Sequence, residues 1–179
     1  MATPETWDKV KHFRPNSLVD QWGDPYAIND DHILRLDDFR SYINTPVIVT
    51  AAVKTNGHST SSFHYSKKDK ITGEEIGHCA TDIVIPDYDL SPYDLILDAL
   101  RFGFTGVGYY PHWKYKGKVV GGLHLDSRPL IVGRDNTVEY AHSRWMGVEI
   151  DNVQQYIGLS FENLLKYSNH GGDADSSLH

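Results

Sequence analysis

The chain has 179 residues, 24 acidic against 17 basic side chains and a formal charge of −7. Apolar content of 40% and charged content of 23% describe one ordinary globular domain, large enough to bury its own core. The acidic balance excludes the basic face of a nucleic-acid binder and any attraction to an anionic membrane. One cysteine, Cys79, excludes an intrachain disulfide. The N-terminal stretch "MATPETWDKVKHFRP" lacks the apolar run of a signal peptide, and no later run is long enough to span a bilayer. The expectation is synthesis in the cytoplasm without a signal peptide and no membrane insertion.

Residues 1–32 alternate polar, proline and aromatic residues without a lasting period and read as an irregular entry segment. Leu36, Phe39 and Ile43 then fall at helical spacing, and "NTP" stops that helix. "PVIVTAAV" reads as a buried strand, and residues 54–79 as one long polar loop of the kind that carries function. "ATDIVI" is the next strand. In "SPYDLILDALRFG", Ser91 caps a helix, Pro92 takes its first position, and Ile96, Ala99 and Leu100 form the buried stripe before Gly103. "TGVGYYP" and "VVGGLHLD" read as two further strands, joined by "HWKYKGK". Residues 151–167 show an amphipathic helical pattern, with Asp151 as N-cap and Val153, Tyr156, Ile157, Phe161, Leu164 and Leu165 on one face. The tail, 168–179, is expected to be disordered. The order of elements gives an α+β domain over residues 1–150, a small, mainly antiparallel sheet with packed helices.

Asp82 is the anomaly, because an unpaired carboxylate inside an apolar strand is costly. Strand alternation puts His78 on its face, but four residues span roughly 13 Å, too far for one shared metal. "GGLHLDSRP" repeats the oddity, with His124 and Asp126 on one face, after glycines that let another group approach closely. With His64 from the loop, two histidines and an aspartate make a catalytic-type zinc set that leaves a place for water. The competing readings are a turn cap or lysine partner for Asp82, a surface His64 and a core His124. No HExxH or CxxC pair decides among them.

The pieces "SFH" (62–64), "HCATD" (78–82), "GVGYYP" (106–111), "GGLHLDSRP" and "HSRWMG" occur in an order that resembles one known family. It is that of the zinc D-alanyl-D-alanine carboxypeptidases and phage L-alanyl-D-glutamate endopeptidases, which share a fold with the Hedgehog signalling domain. The resemblance covers roughly residues 12 to 146. It implies a Hedgehog/DD-peptidase-like fold and one Zn2+ held by His64, Asp82 and His124. It also implies Ser62 and Lys54 at the substrate, and hydrolysis of amide bonds in peptidoglycan stem peptides.

Three departures stand out. His78 replaces the usual glycine, and Lys54 an arginine, which keeps the charge but not the bidentate fork. Gly121 occupies the position of the family's acidic general base. Asp126 then becomes the first candidate base, its competing roles being to orient a zinc ligand or to pair with Arg128. His112 is a candidate for stabilising the transition state. The implied place of action is the bacterial cell wall, for a bacterial or phage-encoded protein. The rival expectation is a zinc-stabilised binding or structural module, virion-associated in one version, that has lost catalysis. The sequence leaves the oligomeric state open.

Overall fold

A computed structural model of the chain describes residues 1–54, 62–68, 73–86, 91–128, 131–132, 138–139 and 143–168. The described residues form a mixed α+β fold, with four α-helices and a six-stranded, mainly antiparallel sheet. In chain order the elements are α1 (Pro4–Lys9), α2 (Asp30–Ile43), β1 (Ile48–Ala51), β2 (Ala80–Val84) and α3 (Pro92–Arg101). They continue with β3 (Gly106–Tyr110), β4 (Gly122–Asp126), β5 (Ser143–Ile150), β6 (Val153–Gly158) and α4 (Phe161–Ser168). The sheet order is β1-β2-β4-β3-β5-β6, and only β3 and β5 run parallel. Short two-stranded ribbons join Lys67–Lys68 to Glu75–Gly77 and Lys114–Tyr115 to Lys118–Val119.

Local chemistry explains the helix ends. Asn29 caps α2 by accepting the His32 N–H at 3.1 Å, and Asn44, at φ 49°, turns the chain out of it. Ser91 accepts the Asp94 N–H at the start of α3. The entry segment contains a helix that the sequence reading passed over. α1 is only six residues long, too short to show a period, and is set by a Thr3–Thr6 capping box with Pro4 at its start.

The larger correction concerns residues 151–167. The first part is β6, antiparallel to β5, and only the second is helix. Asp151 and Asn152 both have positive φ (52° and 60°) and form the two-residue turn between Ile150 and Val153. Asx residues tolerate that left-handed backbone, and the primed turn it builds matches strand twist. An Asp that reads as a helix cap is therefore half of a hairpin turn. Ser168 closes α4, and the rest of the expected tail lies outside the described residues.

Strand alternation divides the sheet into two unlike faces. One carries Val49, Ile83, Leu123, Leu125, Val107, Met146 and Val148, which join α2 residues Ile33, Leu36 and Phe39 and α3 residues Leu95, Ile96 and Ala99 in a single core. The opposite face carries Asp82, His124, Asp126 and most of the sheet's glycines. Among the described residues no helix is long and apolar enough to cross a membrane.

Candidate metal centre

Asp82 lies at the middle of β2 and pairs directly with His124 of β4. Residues so opposed in an antiparallel pair have Cβ atoms about 5 Å apart, close enough for their side chains to meet. The Asp82 Oδ1 is 2.8 Å from His124 Nδ1 and 3.0 Å from His64 Nε2, and the two ring nitrogens are 3.2 Å apart. All three side chains are buried, at 2% exposure for His64, 6% for Asp82 and 7% for His124.

His64 arrives from the loop between β1 and β2. The Ser62 hydroxyl accepts the His64 backbone N–H at 3.3 Å, and Lys54 N–H donates to the His64 carbonyl at 3.2 Å. His78 is not on β2, which begins at Ala80; its Nδ1 instead hydrogen-bonds the His64 carbonyl from behind. The Arg128 guanidinium covers Phe63 at 4.5 Å, tying the loop to the end of β4.

The far nitrogens of the two rings fix what the near ones can do. His64 Nδ1 is 2.6 Å from the Ala52 carbonyl, which can only accept, so Nδ1 carries the proton and Nε2 of the neutral ring is bare. His124 Nε2 is 3.2 Å from Asp126 Oδ2, so the neutral form of this ring likewise keeps its proton on Nε2 and turns the Nδ1 lone pair toward Asp82; in the protonated form Nδ1–H donates to Asp82. Two lone pairs and a carboxylate oxygen therefore face one another in a buried space, an arrangement that requires a proton or a cation between them. His64, Asp82 and His124 form a group that can hold a metal ion, with their ligand atoms within 4.8 Å of one another. Two imidazoles and one carboxylate are a donor set suited to zinc.

The titration behaviour shows the same field. Burial works to lower the His124 pKa, but hydrogen bonds and charge from Asp126 and Asp82 outweigh it and raise the value to about 9. Burial would raise Asp82, yet hydrogen bonds and charge from the facing rings of His124 and His64, present when a proton occupies the space between them, hold it well below the usual carboxylate range.

Asp126 is wholly buried beneath His124, with both oxygens occupied. Oδ1 accepts from Arg128 Nε at 2.7 Å and from the Arg128 backbone N–H at 3.2 Å. Oδ2 accepts from the Arg128 guanidinium at 2.5 Å and from His124 Nε2–H. This is the geometry of a group that orients a metal-binding histidine. Lys54 Nζ is 3.6 Å from Asp82 Oδ2. Gly121, at φ +67°, borders a separate hollow with Ile83, Leu95 and Tyr109.

The site opens into two clefts, of about 680 Å³ and 360 Å³, which share Asp82, Tyr110 and Tyr156. Lys54, His112, Trp113 and Glu149 line the larger, and Ser62, His64, His124 and Trp145 the smaller. Of the residues singled out from sequence, His64, Asp82 and His124 come together, Ser62 and Lys54 flank them, and His112 stands in the larger cleft.

The sequence reading missed the aromatic floor. Trp145 packs on His124 at 5.1 Å and lies across Gly108, where a Cβ would come within 2.4 Å of its ring. Tyr110 lies equally close over Gly147, Trp113 over Gly122, and the Asp126 carboxylate over Gly106. The available signal was the placement of glycines at alternate positions on strands that otherwise prefer bulky residues.

In comparisons with known proteins, no family model, no curated protein and no solved structure matches the chain.

Proposed function

We propose that the chain is a zinc-dependent peptidase that hydrolyses amide bonds in peptidoglycan stem peptides. Its activity would be that of a D-alanyl carboxypeptidase or of an endolysin-type endopeptidase. The observation that carries the reading is the convergence of His64 Nε2, His124 Nδ1 and the Asp82 carboxylate beside two open clefts. The resemblance of "SFH", "HCATD" and "GGLHLDSRP" to the peptidase motifs supplies the substrate class.

Bound there, one zinc ion would acidify a water and polarise the scissile carbonyl. The chain's own residues do the rest. Asp126 and the Ala52 carbonyl hold the two rings in the tautomers that expose a lone pair to the metal position. Lys54, with its side chain partly exposed in the larger cleft, offers an ammonium to a substrate carboxylate. His112, which lines the same cleft, is a candidate for contact with the reacting carbonyl. The reading places the protein's action at the bacterial cell wall after synthesis in the cytoplasm, with a phage or bacterial source.

A second reading has its own observation. Both Asp126 oxygens are engaged and Gly121 has no side chain, so neither position offers a ready general base. That favours a zinc-stabilised binding or structural module.

Metal analysis of the purified protein, with digestion of purified peptidoglycan followed by mass spectrometry with and without chelator, tests both readings. Stoichiometric zinc with chelator-sensitive release of stem-peptide fragments supports the peptidase. Zinc without release supports the module, and the lack of bound zinc sinks both.

A further inference from the structure

Tyr110 stands at the centre of the site and has no part in the peptidase reading. It ends β3, one strand from His124, and with Asp82 and Tyr156 it lines both clefts. A side chain common to both clefts and to a metal-ligating carboxylate stands where a substrate would pass from one cleft to the other.

The position of Tyr110 is built in detail. Its ring lies on Gly147 so closely that a Cβ there would be 2.4 Å from two ring carbons. Trp113 meets it edge-on at 5.0 Å. Its hydroxyl oxygen accepts the Trp145 indole N–H at 3.3 Å, and Trp145 is itself packed against His124. An indole N–H can only donate, so the phenol's own proton points away from Trp145. Its neighbour on the open side is Tyr156, whose side chain is 66% exposed and can yield to a ligand. Burial raises the Tyr110 pKa above its ordinary phenol value, so the hydroxyl keeps its proton.

We propose that the Tyr110 hydroxyl is a catalytic hydrogen-bond donor that meets the oxygen of the scissile carbonyl as negative charge develops on it. The proposal rests on the peptidase reading. When water adds to the amide carbon, a carbon–oxygen bond forms and the carbonyl π pair moves onto the oxygen, which accepts the Tyr110 O–H. The phenol donates a hydrogen bond and does not lose its proton. On collapse the oxygen's pair re-forms the carbonyl and the carbon–nitrogen bond breaks. The amine leaves carrying the proton that the water gave up. A donor fixed in advance favours the charged state over the neutral amide, so its effect falls on kcat.

The test is Tyr110→Phe, which removes one oxygen and leaves the ring on Gly147. Wild type and variant, both zinc-loaded, are compared on a synthetic stem peptide. Binding of a phosphinate analogue of that peptide and of the cleaved product is measured by calorimetry. The expected result is a fall in kcat of about 10²–10³-fold, the range for one oxyanion donor, with KM changed by less than about threefold. Zinc content and product affinity stay at wild-type values, while the phosphinate binds at least about tenfold more weakly. Unchanged kcat and phosphinate affinity in Y110F would overturn the proposal, and so would loss of zinc from the variant, which would make Tyr110 a structural support. Wild-type protein that holds zinc but neither cleaves the peptide nor prefers the phosphinate over the product would instead overturn the peptidase reading, and this inference with it. The two failures are distinct, because one is read in the wild type and the other in the variant.

Discussion

Each face of the sheet holds a buried histidine, and the two are driven in opposite directions. His32, on the helix side, is fully buried between the Ser127 hydroxyl at 2.9 Å and the Thr81 hydroxyl at 3.2 Å, with Phe104 edge-on. Burial lowers its pKa to about 3. His124, on the opposite face and almost as buried, has carboxylates at both nitrogens, and they overcome the same desolvation to raise it to about 9. Burial alone does not decide charge; the partners do. Hydroxyls satisfy a neutral ring, whereas two carboxylates create a potential that demands a cation. The helix side is therefore a core that tolerates a histidine, and on the other face the histidine belongs to a group that can hold a metal ion.

The sharpest way to break this contrast is to remove the shared carboxylate. Asp82→Ala leaves two imidazoles without the anion between them. Zinc affinity should fall on the order of a thousandfold, roughly one ligand's share of a binding free energy above about 10 kcal/mol. Competition with a chromophoric chelator measures it, and near-wild-type affinity would mean that Asp82 is no ligand. The counterpart on the helix side is Leu125→Ala. Leu125 neighbours His124 in sequence but is 0% exposed in the core. Its loss should cost about 2–5 kcal/mol in denaturant unfolding while zinc stoichiometry stays unchanged. An equal loss of metal would show that the two faces are not separable.

Acidity separates the two histidines further. The folded pKa of His124 lies above its unfolded value of 6.5. Its contribution is fully present below pH 6.5 and is lost as pH rises through about 9. For His32 the folded pKa lies below 6.5, so its contribution is present above that value and is lost as pH falls toward about 3. Metal-free protein should thus unfold at lower temperature on either side of a maximum near pH 6.5, with a few kcal/mol at stake on each flank. Zinc bound at this group would replace the proton at His124, so the stabilisation gained on adding zinc should grow from pH 6.5 to 9. Scanning fluorimetry with chelator and with zinc reads both trends. A zinc increment that shrank with rising pH would count against His124 as a ligand.

How much of this was legible in the sequence depends on the range of the interaction. Period-2 alternation placed Asp82 on the face opposite Thr81 and Ile83, and His124 on the face of Asp126, because that rule is local. The direct opposition of Asp82 and His124 is a matter of register between strands about forty residues apart, which no local pattern encodes. The position of His64 depends on how its loop folds back against Ala52 and Arg128, again beyond local reach. Val153 and Tyr156 satisfied a helical template because a short run of mixed polarity fits both periods, and the Asp151–Asn152 turn decided the outcome. The glycines before His124 did signal close approach; what approaches Gly122 is the Trp113 ring.

Asp126 offers the finest test, because two roles predict different measurements. As the general base suggested by its place beside His124, it would need an oxygen free to take a proton from water. The structure occupies both oxygens, with Arg128 on each and His124 on one. In the orienting role, Asp126→Asn weakens the grip on the His124 Nε2–H and leaves Arg128 facing a neutral amide. Zinc affinity should then fall about 10–100-fold, the usual cost of losing a group that holds a metal-binding histidine. At saturating zinc the remaining activity should stay within about tenfold of wild type, with the acidic limb of its pH profile retained. In the general-base role the affinity barely changes, whereas kcat at saturating zinc falls about 10²–10⁴-fold and the acidic limb disappears. Measuring Kd for zinc and kcat at saturating zinc on the same variant separates the roles. The packing of Asp126 against Gly106, where a Cβ would sit 2.0 Å from its carboxylate, favours the first, since it leaves no room for a water at that oxygen.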